Sequence, residues 1–439
     1  MHFLNFLNTY LLGVALPPLL LFSGLYFYRR LGAFPLRRPR ATLRCLCGGG
    51  GRGKRAQSGG RGGLSALTLA LAGTLGVGNI TGVAVALRFG GAGAVLWLWV
   101  GGALAAILKY AEITLALDAR KSAAESRGAI DYIRPALGGG AALLFALLSL
   151  LLSLTMGSLL QGNVIAEGIA PVLPLPPLSV GLILAAVTLL LFLGGRRGVE
   201  RLTLILIPLF TLLYVAVSLA VIFVNITSLP SVLSRILREA FSLKSAGAGL
   251  GGAGIARAMR AGIGKGLFSN EAGVGTAPFA HGGAEVTSPV RQGVLGLVEV
   301  FVDTLLMCSL TALSVLLVFP ELPAASATAT VTEAFATVLG DAASPFLALS
   351  ILFFAYATVA CWVSYGQTAL SHLCRRPAAR WLYAPVFAGA LALGSVLPAD
   401  GVWAVCDAVI AAMAILNITA ILKNADRIVA LTRNEGLLK

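Results

Sequence analysis

Apolar residues in this chain do not alternate with polar ones at the period of a surface helix or of a strand. They run on for about twenty positions at a time, the length that carries a helix across the hydrocarbon of a bilayer. Eleven such segments can be read, at roughly 8–28, 66–88, 91–117, 138–170, 177–195, 200–224, 252–280, 289–318, 343–372, 379–397 and 401–422. The runs lack period-two alternation, which excludes a transmembrane β-barrel. The pattern predicts an all-α membrane protein with about eleven transmembrane helices.

Two of these segments are interrupted. The first holds Gly73-Thr74-Leu75-Gly76-Val77-Gly78-Asn79-Ile80-Thr81-Gly82, and the second holds Gly262, Gly264 and Gly266 followed by Ser269-Asn270-Glu271-Ala272-Gly273-Val274-Gly275-Thr276-Ala277-Pro278. Glycine is costly inside a helix and leaves backbone groups open to other partners. In a bilayer such groups are tolerated only where protein or a water-filled cavity satisfies them. Both stretches are therefore predicted to be broken helices.

After one amino-terminal helix (1–28) and a linker (29–65), five segments lie in 66–224 and five in 252–422. A connection at 225–251 and a tail at 423–439 complete the chain. An odd number per half makes the second half run opposite to the first, and each half opens with an interrupted segment. Interrupted helices at matching places in inverted repeats point to a transporter's binding site. The competing reading is that the glycines only let helices pack closely.

Composition agrees: of 439 residues 58% are hydrophobic and 12% charged, with mean hydropathy +0.90. The net charge of +15 would suit a nucleic-acid binder, but its distribution excludes that. Alternate connections (29–61, 118–134, 196–201, 281–292, 373–380) and the tail together hold 25 Lys or Arg, whereas the opposite set holds only Arg235, Arg238 and Lys244. This positive-inside bias puts the amino terminus outside and the carboxyl terminus in the cytoplasm, in a plasma (inner) membrane. The excess marks topology, with anionic lipid as a further partner.

Other patterns carry little. Gly48-Gly49-Gly50-Gly51-Arg52-Gly53-Lys54 nearly matches a phosphate loop, but Arg55 stands at the magnesium-binding position and no strand precedes it, so it reads as flexible linker. Gly249-Leu250-Gly251-Gly252-Ala253-Gly254 lacks the βαβ unit that dinucleotide binding needs. The six cysteines read as reduced thiols, and His2, His281 and His372 lie far apart without companions at ligand spacing. No cofactor or transition metal is expected.

Gly76-Val77-Gly78-Asn79-Ile80-Thr81-Gly82-Val83, Trp97-Leu98-Trp99, Lys109-Tyr110-Ala111-Glu112 and Gly266-Leu267-Phe268-Ser269-Asn270-Glu271-Ala272-Gly273 with Ala277-Pro278 resemble the alanine/glycine:cation symporter family. Pro289-Val290-Arg291-Gln292-Gly293 with Glu299, Phe301 and Asp303 continues the likeness over nearly the whole chain. The resemblance implies sodium- or proton-coupled uptake of a small neutral amino acid. It also implies the leucine-transporter-like five-plus-five fold shared with sodium-coupled neurotransmitter transporters, with one extra amino-terminal helix. Two stretches depart from the family: Arg127-Gly128-Ala129-Ile130-Asp131-Tyr132-Ile133, and Ala357-Thr358-Val359-Ala360-Cys361-Trp362. At Ala357 a hydroxyl that helps ligate sodium in this fold is missing, which leaves the coupling ion open between sodium and proton. Cys361 would narrow the pocket.

A zwitterion brings a carboxylate, which suits freed N–H groups near Gly76, Gly78 and Asn79. Its ammonium needs acceptors, expected from carbonyls near Phe268, Ser269 and Asn270 with the oxygens of Thr358 and Gln161. Thr74 and Gly273 complete the expected substrate site, and Phe268 and Trp362 are expected walls. A cation is expected on the carbonyls of Ala72 and Leu75 with Thr358, and Asn79 serves either a second cation or the substrate. Glu271 either holds its break open by bonding freed N–H groups or carries a proton. Glu299 and Asp303, one turn apart, either take part in ion coupling or pair with a base such as Lys109. Arg88 and Lys265 read as snorkelling side chains near the membrane boundaries.

The expected activity is secondary transport by alternating access, with no covalent chemistry. A membrane-embedded enzyme would need a convergent nucleophile, metal ligands or paired carboxylates, and none is visible. A passive channel or a receptor on the same fold is the other alternative. Oligomeric state is not legible.

Overall fold

A computed structural model describes residues 2–47, 67, 71, 73–120, 126–194, 196–242, 253–284 and 288–438. Among these residues the regular elements are helical and none is a strand. In chain order the principal helices are α1 Phe6–Arg30, α2 Val77–Gly90, α3 Ala94–Ala119, α4 Gly139–Ile169, α5 Pro177–Gly194, α6 Arg196–Val224 and α7 Leu229–Ala240. They continue as α8 Ala253–Asn270, α9 Ala277–His281, α10 Pro289–Val318, α11 Ala327–Leu339, α12 Ala343–Leu373, α13 Pro377–Gly394, α14 Ala399–Lys423 and α15 Ala425–Asn434.

Among the described residues seven runs are long and apolar enough to cross a bilayer: α1, α3, α4, Ile207–Val224 within α6, α10, Ala327–Leu373 through α11 and α12, and α14. Eleven were expected. The remaining expected positions are filled by α2, α5, α8 and α13, which are shorter or, like α8 with Arg257, Arg260 and Lys265, more charged.

Several local expectations change. The helix is not interrupted at Pro17-Pro18: a π-helical turn at Leu11–Ala15 sits just before the prolines and the chain continues as helix to Arg30. A π turn takes up the backbone mismatch that proline creates. The linker begins as the short helices Phe34–Arg37 and Pro39–Cys47. Gly48–Arg55 and most of Gly249–Gly254 lie outside the described residues. Part of the stretch between the apolar segments at 289–318 and 343–372 is helical, as α11. The tail folds as α15, tied by Arg427 to Asp118 at 2.8 Å, by Arg291 to Glu435 at 2.8 Å, and by Arg30 to Asp426.

Two further π turns interrupt long helices, Thr155–Leu159 in α4 and Phe301–Cys308 in α10. Around them, α8 packs on α3 and α2, α10 on α3, and α4 on α12. Close approach needs a residue without a side chain at Gly262, where a Cβ would fall 2.2 Å from the Ala94 carbonyl oxygen of α3. That glycine serves helix packing. The other glycines of the same run are more open, with nothing nearer than 3.7 Å at Gly264 and Gly266.

Candidate functional site

Both interrupted segments break, and the breaks meet. In the first, Gly76 is extended and Val77–Asn79 forms a single 3₁₀ turn before helix resumes at Thr81. In the second, residues 271–276 between α8 and α9 are non-helical. Glu271 there is left-handed at φ +52°, an unusual state for a side-chain-bearing residue, while Gly273 and Gly275 take φ +82° and +89°. A Cβ on Gly78 would lie 3.1 Å from the Ser269 Cα, so backbone touches backbone.

Side chains lock this junction. Asn79 accepts the Gly76 N–H on Oδ1 at 3.1 Å, and its Nδ2 donates to Asp303 Oδ1 at 2.7 Å, the Asp303 carbonyl at 2.9 Å and Ser269 Oγ at 3.0 Å. Ser269 Oγ and Thr304 Oγ1 each donate to Asp303 Oδ2 at 2.8 Å. Asn270 donates to Thr304 Oγ1 at 3.0 Å and accepts the Ala272 N–H at 2.9 Å. Asp303 reaches both breaks because it lies in the π turn of α10. It is fully buried, and each of these donors is neutral.

Beside the junction is a small, nearly closed cavity, with room in this conformation for no more than about one water molecule. Its wall comprises Gly73, Thr74 and Gly76 to Gly78 from the first break, Phe268 from α8, Met156 and Gln161 from α4, and Thr358 from α12. The N–H groups of Val77 and Gly78 make no backbone hydrogen bond among the described residues. Gln161 is 1% exposed; its Nε2 donates to the Met156 carbonyl at 2.9 Å in the π turn of α4, and its Oε1 has no hydrogen-bond partner among the described residues. Thr358 Oγ1 donates to the Phe354 carbonyl at 3.1 Å and, more weakly, to Gly73 at 3.4 Å.

Thr74, Gly76, Gly78, Gln161, Phe268 and Thr358 are thus brought to one wall, joined by Met156, which the sequence reading did not include. The other expected site residues are elsewhere. Asn79, Ser269 and Asn270 are turned away into the Asp303 and Thr304 network. Gly273 lies against Ile418 and Leu108 with its carbonyl accepting from Asn417 at 2.9 Å, and Trp362 packs on Gly157 and Tyr365. Leu75 is buried off the wall, and Ala72 lies outside the described residues. The Gly76 N–H, expected to meet a carboxylate, is capped by Asn79. The Asn270 carbonyl, expected to meet an ammonium, accepts from Lys109 Nζ at 2.6 Å.

The buried acids have definite partners. Lys109 Nζ also contacts Glu299 Oε1 at 2.6 Å, so Glu299 pairs as the sequence allowed, and His281 Nε2 meets Glu299 Oε2 at 3.2 Å. Gln292 Nε2 reaches His281 Nδ1 at 2.7 Å. The hydrogen bonds to freed N–H groups in the second break come not from Glu271 but from Glu112 of α3, whose Oε2 accepts the Gly275 N–H at 3.0 Å, and from Asn270. Lys265 does not snorkel: it is 8% exposed, contacts both Asp407 oxygens at 2.8 Å, and lies 4.3 Å above the Trp403 ring. Trp403 in turn stands 4.6 Å from the Phe268 ring on the cavity wall. Neither Glu112 nor Asp407 carries a local signal, since their partners are more than a hundred residues away.

This geometry has relatives. An uncharacterized transporter of Haemophilus influenzae is 32% identical over 432 residues, covering 95% of this chain and 92% of its own. The sodium/alanine symporter AgcS of Methanococcus maripaludis is 31% identical over 447 residues, covering 98% and 96%. A solved sodium-coupled sialic acid symporter, at 13% identity, superposes with a TM-score of 0.52 over 97% of this chain and 85% of its own, which shows a common fold. The pattern that defines the Sodium:alanine symporter family matches residues 1–434. With its long apolar helices broken at two glycine-rich points, the chain belongs to the sodium:alanine symporter family of membrane transporters.

Proposed function

We propose that the protein is a secondary active transporter that carries a small neutral amino acid, such as alanine or glycine, together with sodium or a proton by alternating access. The observation that carries the reading is the character of the cavity wall. The N–H groups of Val77 and Gly78, which make no backbone hydrogen bond among the described residues, offer donors to a carboxylate, while Gln161 Oε1 on another wall, without a partner among those residues, offers an acceptor to an ammonium. Such a slot complements a zwitterion without an intramembrane counter-ion on the wall. Phe268 and Met156 limit the side chain it accepts.

In this reading α2, α5, α8 and α13 also cross the membrane, giving eleven spans: one extra helix and two inverted sets of five. The amino terminus is outside, as the distribution of Lys and Arg supports. Thr358, with its hydroxyl against the Gly73 carbonyl, is the side chain of α12 that would meet a cation on the first break. Uptake of labelled alanine, glycine and serine into proteoliposomes, with the sodium and proton gradients imposed separately, tests the proposal. Accumulation above equilibrium under one gradient is expected. Equilibration without accumulation would make the protein a channel, and absence of uptake for all three would end the reading.

A further inference from the structure

His281 is the last residue of α9 and is 0% exposed, and both of its ring nitrogens are engaged. Nε2 meets Glu299 Oε2 at 3.2 Å, and Nδ1 meets the Gln292 amide nitrogen at 2.7 Å. An amide nitrogen only donates, so Nδ1 accepts and the ring carries its single proton on Nε2, toward the carboxylate. A second proton would go to Nδ1. Gln292 meets that proton by turning its amide about, which brings the carbonyl oxygen to the ring in place of the nitrogen. Each ring nitrogen therefore has a partner with one proton on the ring or with two, and the two states differ by one amide rotation.

The surroundings are acidic. From α10 the charged group on His281 is Glu299. From α3 come Lys109, at 2.6 Å from the other oxygen of Glu299, and Arg120, which donates to the carbonyls of Gly282 and, at 2.6 Å, Ala284. From α12 the titratable group is Tyr365, stacked at 5.7 Å on Phe279 of α9. Behind Glu299, Glu271 faces both it and Lys109, and Glu112 and Asp303 also face Lys109. A cluster with four carboxylates on one lysine has room for a further positive charge, in a medium where unpaired charge is expensive. The chain reaches solvent two residues beyond the ring, at Gly283, on the side that the distribution of Lys and Arg assigns to the cytoplasm.

We propose that His281 is a proton-binding site, and that its charge acts through Glu299 and Lys109 on the Asn270 carbonyl where α8 ends. The contacts are continuous: 3.2 Å from His281 to Glu299, 2.6 Å from Glu299 to Lys109, and 2.6 Å from Lys109 to the Asn270 carbonyl. A doubly protonated ring makes a charge-assisted bond to Glu299 and so competes with Lys109 for one carboxylate. Lys109 is then held less firmly, and its other partner is the backbone at the second break. His281 is not on the cavity wall, so it is a positioning residue. The inference rests on reading the chain as a carrier, and makes pH a control on it whichever ion is coupled.

The chain has three histidines, so magnetic resonance of histidine-labelled full chain in detergent resolves this ring, with His281→Gln assigning its signal. A protonation step at His281 is expected between about pH 5 and 8. Gln292→Glu gives Nδ1–H a charged acceptor and should raise the midpoint by at least about one pH unit, whereas Gln292→Met removes the acceptor and should lower it. Alanine uptake into proteoliposomes, at fixed outside pH and varied internal pH, should change with the same midpoint in wild type, follow the shifts in both Gln292 variants, and lose the step in His281→Gln. No protonation step in that range, or an unshifted midpoint in both Gln292 variants, would overturn the proposal. So would wild-type pH dependence of uptake in His281→Gln. Should His281→Gln fail to fold, the two Gln292 variants decide by the same midpoints. A wild type whose His281 titrates with the expected shifts but which takes up no alanine at any pH would keep the proton site and end the carrier reading instead.

Discussion

Gly78 and Ser269 touch through their backbones: a Cβ at Gly78 would approach the Ser269 Cα to 3.1 Å and the Phe268 ring to 3.3 Å. Neither neighbour is the free end of a flexible chain, so Gly78→Ala must push the two broken segments apart by a few tenths of an ångström. Overpacking of this kind costs about 1–3 kcal/mol. Misplacement of a binding group costs function beyond that, so amino-acid accumulation is expected to fall at least about tenfold in protein that still purifies folded. Wild-type accumulation in Gly78→Ala liposomes would show that the spacing of the breaks is not critical.

Gln161 offers a second test. Gln161→Leu removes the orphan Oε1 and the bond to Met156, whereas Gln161→Glu keeps an acceptor in place. A hydrogen bond to a charged group is worth about 1.5–3 kcal/mol, so alanine affinity should drop at least about tenfold in the leucine variant. The glutamate variant should retain more of it. Isothermal titration of both decides, and equal affinity in Gln161→Leu and wild type removes this side chain from the site.

Asp303 gathers Asn79, Ser269 and Thr304 onto one buried carboxylate. Asp303→Ala strands all three donors and is expected to lower stability by about 3 kcal/mol or more. Asp303→Asn keeps one carbonyl oxygen and should lose less. Thermal unfolding in detergent measures the order, and two variants as stable as wild type would mean that the junction is held by packing instead.

The Lys109 and Glu299 pair is fully buried at 2.6 Å. Removing one partner leaves a lone charge inside the bundle, and single changes of this kind cost about 3–5 kcal/mol. Glu299→Gln and Lys109→Met should each show that loss, while Lys109→Met with Glu299→Met should lose far less than the sum. A double-mutant cycle on unfolding midpoints gives the coupling directly. Strict additivity would mean that the two charges are held independently.

Much of this was legible from residue order. Apolar runs of about twenty residues require helix, and glycines with Asn79 and Asn270 inside two of them forecast where helix would fail. What the sequence could not show was where side chains turn once backbone opens. Asn79 and Ser269 were expected to face a substrate, yet the π turn at Phe301–Cys308 swings Asp303 toward them and takes both, and a π turn has no reliable local signature. Glu112 and Asp407 were equally hidden. Their partners Gly275 and Lys265 lie far along the chain and meet them only because helices of different segments are packed together.

The π turn of α10 also makes the register of that helix a quantity that can be edited. It accommodates one more residue than regular helix would, and downstream of it Thr311 donates to the Asn79 carbonyl at 2.7 Å. Deleting a single residue between 301 and 308 would let ordinary α-helix form through the turn and rotate everything beyond it by about 100°. Thr311 would then point away from the first break. The length of this short insertion therefore sets the angular alignment of the outer part of α10 with the junction, much as the count of teeth fixes how two gears mesh.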